Sequence, residues 1–208
     1  MNPIAKFVIP AMALLLILPA TPAAAVPGDR YQESYELEAR GKSHQALKAL
    51  QRLPQREKTT YFYLLREAWL RYLMGDFKLA VAGYKRAAAA SPRAIEPLLG
   101  MTLPQIALRA WKDAVATARK VLRMAPKSYL AQSRLAWALF NLGRHDEARR
   151  AYARVLQSFP ADLNMQAGLA WSLLKLGKKP EAKRAFMNVI RRSPKNASAL
   201  SGLKACGK

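Results

Sequence analysis

LFNLGRHDEARRAYARVLQSFP, residues 139–160, and LLKLGKKPEAKRAFMNVIRRSP, residues 173–194, are one phrase written twice. Overlaid, they match Gly143 with Gly177, Ala148 with Ala182, Tyr152 with Phe186 and Pro160 with Pro194, an offset of 34 residues. The offset persists outward. Prolines stand at 92, 126, 160 and 194 and alanines at 80, 114, 148 and 182, and the series Tyr84, Ala118, Tyr152, Phe186 keeps the same interval. A small residue recurs at Ala68, Thr102, Ala136 and Ala170. Gly75, Gly143 and Gly177 mark a turn whose place in the odd unit is taken by Arg109. Agreement of several independent positions over four units indicates an array of stacked supersecondary elements.

Each unit reads as two antiparallel helices. In 129–162, Leu135, Ala136, Leu139 and Leu142 form a helical stripe, Gly143 ends the first helix, and Ala148, Tyr152 and Val155 line the second. Ala136 and Ala148 allow the helices to approach closely, and Pro160 stops the second helix because it has no amide donor and clashes with the preceding turn. One such hairpin cannot bury its own apolar face, whereas stacked copies can.

The 34-residue period, with its small residue, turn glycine, alanine, aromatic and closing proline, resembles the tetratricopeptide (TPR) repeat. The resemblance implies an all-α fold, a TPR-like right-handed superhelical solenoid of helical hairpins. The units run 61–94, 95–128, 129–162 and 163–196, after a degenerate hairpin at 26–60 in which Gly41 and Ala46 keep the spacing of Gly143 and Ala148. Residues 197–208 read as a capping segment, with Leu200 and Leu203 at helical spacing to cover the last hairpin. Two departures carry expectations. Glu67 and Arg71 stand where later units have Leu135 and Leu139, which predicts an ion pair and a loosened junction behind the first hairpin. Pro97 is tolerable in a first turn, but Pro104 is predicted to kink or break its helix.

The amino terminus has a different grammar. Lys6 precedes an apolar run from Phe7 to Leu18, and Ala23 and Ala25 lie three and one before a plausible cut after Ala25, the layout of a secretory signal peptide at 1–25. The run is short for a membrane span of about 20 residues, and Pro10 and Pro19 interrupt it. The chain is therefore expected to be exported, periplasmic if the host is Gram-negative, with an uncleaved inner-membrane anchor as the alternative. About 183 residues would remain, with one cysteine, Cys206, so no internal disulfide and no cysteine metal site can form. No cofactor is expected.

In the TPR family the first helices line a concave groove. On that template Trp69, Leu103, Trp137 and Trp171 share one groove-facing register, Tyr72, Ile106, Phe140 and Leu174 the register three later, and Phe62, Leu65 and Leu99 extend the lining. Packing between hairpins would produce the same stripe, but three tryptophans on a face the fold leaves open favour partner binding. An amphipathic helix or extended apolar peptide fits such a groove best, with a glycan strand as the alternative. The family's clamp for acidic C-termini is approached only by Arg134, Asn141 and Lys175, so a chaperone-tail receptor is not expected.

The chain carries a formal charge of +22. Residues 76–208 hold 25 basic against 7 acidic side chains, and Lys85, Arg86, Arg119, Lys120, Arg149, Arg150, Arg154, Lys183, Arg184, Arg191 and Arg192 all belong to second helices or their ends. A basic convex side is expected to contact an anionic membrane or glycan, while export and the lack of a recognised motif argue against nucleic acid. His44 and His145 fall near starts of second helices, where packing is the expected role, and no carboxylate pair or phosphate loop emerges. The sequence therefore reads as a non-catalytic adaptor in a cell-envelope assembly. The alternative is a component of exopolysaccharide export that contacts a glycan or anionic polymer.

Overall fold

The computed structural model describes residues 27–207; the expected signal peptide at 1–25 lies outside them. The described residues form eleven α-helices joined as hairpins. These are α1 (Pro27–Ala39) with α2 (Ser43–Gln51), α3 (Tyr61–Leu73) with α4 (Phe77–Ala90), α5 (Glu96–Ala107) with α6 (Trp111–Met124), α7 (Tyr129–Asn141) with α8 (His145–Ser158), and α9 (Leu163–Lys175) with α10 (Lys179–Arg192). A 3-10 turn at Glu57–Thr59 leads into α3, and α11 (Ala197–Cys206) closes the array. The fold is an all-α solenoid. Among the described residues no helix is long and apolar enough to cross a membrane.

The turn inside each hairpin follows from one backbone conformation. Gly143 has φ +80°, and the amides of Gly143 and Arg144 return to the carbonyls of Phe140 and Leu139 at 3.1 and 3.0 Å, which satisfies the helix end. Arg109 makes the same turn at φ +55°, with Ala110 N–H on the Gln105 carbonyl at 2.8 Å, despite carrying a side chain. At the other helix ends Thr60, Ser128, Asp162 and Asn196 accept amide hydrogen bonds from the first turns of α3, α7, α9 and α11. These caps also lie on the 34-residue grid; at its remaining point stands Ala94, and α5 has no side-chain cap.

Between hairpins the joint is a ring laid on a glycine. A Cβ built on Gly100 would enter the Tyr84 ring, one on Gly168 the Tyr152 ring, and one on Gly202 the Phe186 ring. The rings are buried; Gly100 and Gly168 belong to the next hairpin and Gly202 to the closing helix α11. The central joint departs from this scheme. Ala118 replaces the ring and Arg134 the glycine, and the arginine fills the space, donating to the Leu99 carbonyl at 2.6 Å and to Thr102 Oγ1 at 2.9 Å.

Two expectations are corrected and a third is met. Helix α5 is not broken at Pro104: it continues to Ala107 with Pro104 fully buried, because packing against neighbours on both sides outweighs one missing amide. The junction behind the first hairpin is the most sparsely packed of the array, as expected, though it is not open. Leu47, Leu50 and Leu53 join Tyr63, Leu64, Leu70 and Ala87 in one buried cluster, and Arg66 sits in the interface on Ser34 and Glu38. Glu67 does approach Arg71, at 4.0 Å, and pairs more closely with Arg86 at 2.9 Å. In the cap, Ala199 and Gly202 are buried and Leu203 packs on the last hairpin, whereas Leu200 turns to solvent at 45% exposure.

Candidate partner-binding groove

Successive first helices, α3 with α5, α5 with α7 and α7 with α9, touch one another, while successive second helices hardly do. The first helices therefore line the inner face of the curve. Along it two hollows open. One, about 620 Å³, lies between α1, α3 and α5 and is bordered by Phe62, Leu65 and Trp69. The other, about 400 Å³, lies between α7, α9 and α11 and is bordered by Arg134, Trp137, Phe140 and Trp171. They are the same site two repeats apart: Arg66, Trp69, Tyr84 and Gly100 in the first correspond to Arg134, Trp137, Tyr152 and Gly168 in the second. Both open where a bare glycine leaves the tyrosine ring as a floor. At the intervening joint Arg134 occupies that place.

The two hollows differ in charge. In the first, Glu38 accepts from the Trp69 indole N–H at 2.6 Å and pairs with Arg66, whose guanidinium lies 3.8 Å from the Tyr35 ring centroid. A second carboxylate, Glu96, accepts from the Tyr61 hydroxyl at 3.3 Å at the same rim. The second hollow has no carboxylate in its lining. Ser133, Asn164 and Ser198 form its polar rim, and the Trp171 indole donates to Ser198 Oγ at 3.0 Å. Trp137 is 47% exposed and lies nearly parallel to Phe140, with centroids 6.3 Å apart. Burial pushes the Tyr84 hydroxyl up to about 12 and raises Tyr152 as well, so both floors stay neutral.

The remaining groove candidates border neither hollow. Tyr72 packs on Trp69 and Phe77, Ile106 and Leu174 join apolar clusters, Leu103 is half-buried, Lys175 is exposed, and Asn141 is tied to the Trp137 carbonyl of its own helix at 2.8 Å. Sequence reading missed Glu38, Glu96, Tyr84, Tyr152, Gly100 and Gly168. The signal was available in the series Gly100, Arg134, Gly168, Gly202, which keeps the 34-residue step.

On the outer face the named basic residues are exposed, apart from half-buried Arg149. Some are locally neutralised: Arg86 by Glu67, Arg119 by Glu147 at 2.9 Å, and Arg149 and Arg150 by Asp146. Lys85, Lys120, Arg154, Lys183, Arg184, Arg191 and Arg192 meet no carboxylate among the described residues. His44 is exposed, and His145 packs on Phe140 at 5.2 Å with Nδ1 buried and unpartnered. Burial, and then nearby Lys175, hold the His145 imidazole below its usual range.

An open solenoid of helical hairpins with a hollowed inner face defines a repeat protein built to present surface. Known proteins place it further. The tetratricopeptide-repeat family model matches residues 105–162 and 143–205. Among solved structures the chain is similar to MamA (41-end) from Desulfovibrio magneticus RS-1, with TM-score 0.76 and 16% identity over 82% of this chain and 97% of that one. It is similar also to a tetratricopeptide repeat protein from Parabacteroides merdae, with TM-score 0.79 and 17% identity over 86% of this chain and 72% of that one. A thermophilic TPR protein of Thermus thermophilus superposes with TM-score 0.60 and 17% identity over 87% of this chain and 98% of that one. No curated protein matches by sequence. The chain belongs to the tetratricopeptide-repeat proteins, whose arrays serve as protein–protein interaction scaffolds.

Proposed function

We propose that the protein is a non-catalytic scaffold of a cell-envelope assembly, exported through its amino-terminal segment, periplasmic in a Gram-negative host, and holding an apolar partner segment along its inner face. The observation that carries this reading is Trp137, a ring 47% exposed over a hollow of about 400 Å³. Such a ring is an unused anchor until a partner covers it. The two hollows suit two anchors of one segment, one beside the carboxylates of Glu38 and Glu96 and one on the neutral indoles of Trp137 and Trp171. The outer basic residues would keep the scaffold near an anionic surface, an attraction that fades with added salt.

The test is crosslinking in the native envelope followed by mass spectrometry. A protein partner captured by the wild type and lost with Trp137→Ala, at unchanged thermal midpoint, is the expected result. Capture that survives the substitution would overturn the groove reading. A polysaccharide strand is the second reading, favoured by the polar rim of Ser133, Asn164 and Ser198 around flat indole faces. It requires oligosaccharide, and not apolar peptide, to quench the groove tryptophans.

A further inference from the structure

The outer face is not uniformly basic. Between α6 and α8 runs a cleft of about 420 Å³ walled by Arg119 and Arg123 from α6 and by Arg150 and Arg154 from α8. Each pair is spaced i, i+4, so each presents two guanidinium groups along one helix edge. The floor is apolar: Leu122 of α6 and Leu135 of α7 are partly exposed there, over buried Leu139.

The 34-residue grid makes the cleft singular. The four arginine positions read Lys85, Ala89, Ala116 and Lys120 one repeat earlier, and Ala153, Gln157, Arg184 and Asn188 one repeat later. The acidic position of the cleft, Glu147, is retained as Asp113 and Glu181. Repeat architecture alone would give each outer junction one or two cations; this junction carries four. Glu147 is shared by Arg119 and Arg144, and Asp146 lies beside Arg150. Arg123 and Arg154, diagonal across the opening, meet no carboxylate among the described residues.

We propose that this cleft binds the phosphate group of an anionic phospholipid, with the beginning of an acyl chain on the leucine floor. Guanidinium forks match phosphate oxygens in charge and geometry. A phosphate alone would leave Leu122 and Leu135 wet, whereas an acidic protein segment would need carboxylates along a longer track than one junction supplies. A phospholipid satisfies walls and floor together. The inference rests on the anionic-surface part of the proposed function and adds a defined site to it.

The experiment compares wild type, Arg123→Gln/Arg154→Gln and, as a control of equal charge outside the cleft, Lys183→Gln/Arg184→Gln. Calorimetry with monomeric short-chain phosphatidylglycerol is expected to give saturable binding at one site. The cleft pair should weaken it at least about tenfold and the control pair by no more than about twofold. Equal weakening by both pairs would overturn the site. So would inorganic phosphate binding as tightly as the lipid, or an oligo-glutamate peptide binding more tightly. Sedimentation with phosphatidylcholine vesicles containing phosphatidylglycerol separates the two levels of argument. If wild type binds vesicles but not monomeric lipid, the cleft is wrong and the surface reading stands; if it binds neither, both fall.

Discussion

Tyr84 and Tyr152 each rest on a glycine of the following hairpin and Phe186 on one of the closing helix, and no methyl group fits between ring and backbone. Gly168→Ala should therefore cost about 1–3 kcal/mol, because a methyl group there has only the Tyr152 ring to displace. The central joint allows a reciprocal test. Ala118→Tyr should clash with Arg134, Arg134→Gly should open a void and remove the arginine's bonds to the Leu99 carbonyl and Thr102, and the two together should recover stability beyond the sum of the single effects. Urea unfolding of the four chains reads the coupling directly. The same contact explains what sequence alone could not tell about the groove. Trp69, Leu103, Trp137 and Trp171 look equivalent in register, yet hollows open only where Gly100 and Gly168 leave the lining bare, and a missing side chain is easily passed over in a search for site residues. His145 gives a pH signature. Its imidazole is held low by burial and by Lys175, so the unfolded chain takes up a proton more readily. This part of the stability is whole above about pH 6.5, the unfolded value, and is lost as pH falls through it toward the lowered folded value. His145→Phe, matching Phe77 at that register, should flatten the fall of thermal midpoint between about pH 7.5 and about pH 5 relative to wild type.

At the scale of the helices, the turns hold a matched pair of substitutions. Arg109 has φ +55° and Gly143 φ +80°, one bearing a side chain in a conformation that disfavours it and one free of that cost. Arg109→Gly should raise stability by about 1 kcal/mol and Gly143→Ala should lower it by a similar amount, as denaturant midpoints would report. Helix order and turn positions were legible because Gly143, Ala148, Tyr152 and Pro160 act locally, through backbone conformation and helix approach. Pro104 misleads for the opposite reason. A proline's cost in an isolated helix is local, but its tolerance in α5 comes from burial between α4, α6 and α7, which no reading of residues 95–107 contains. The caps at Thr60, Ser128, Asp162 and Asn196 stand on the same grid and were legible there, although the reading passed over them.

For the molecule as a whole, energy is shared between neighbours, so an end should loosen before the middle. Removing residues 197–208 strips Ala199 and Gly202 from Phe186 and Ser198 from the Trp171 indole. Amide exchange should then quicken in α9 and α10 while α3 and α4 keep their protection, and Trp171 emission should shift to the red; uniform loss of protection would mean the array unfolds as one unit. The ring-on-glycine joint has a last consequence, for heredity. Tyr152 and Gly168 fall in different hairpins when the chain is divided at its prolines, but in one piece when it is divided at the turn glycines, between Gly143 and Gly177. A genetic duplication or exchange that cuts at Pro160 separates a ring from the partner shaped to receive it. One that cuts at the turns carries the fitted pair along, as it would carry Ala118 with Arg134. The piece that can be copied and spliced without mismatch is therefore offset by half a hairpin from the piece that the eye picks out.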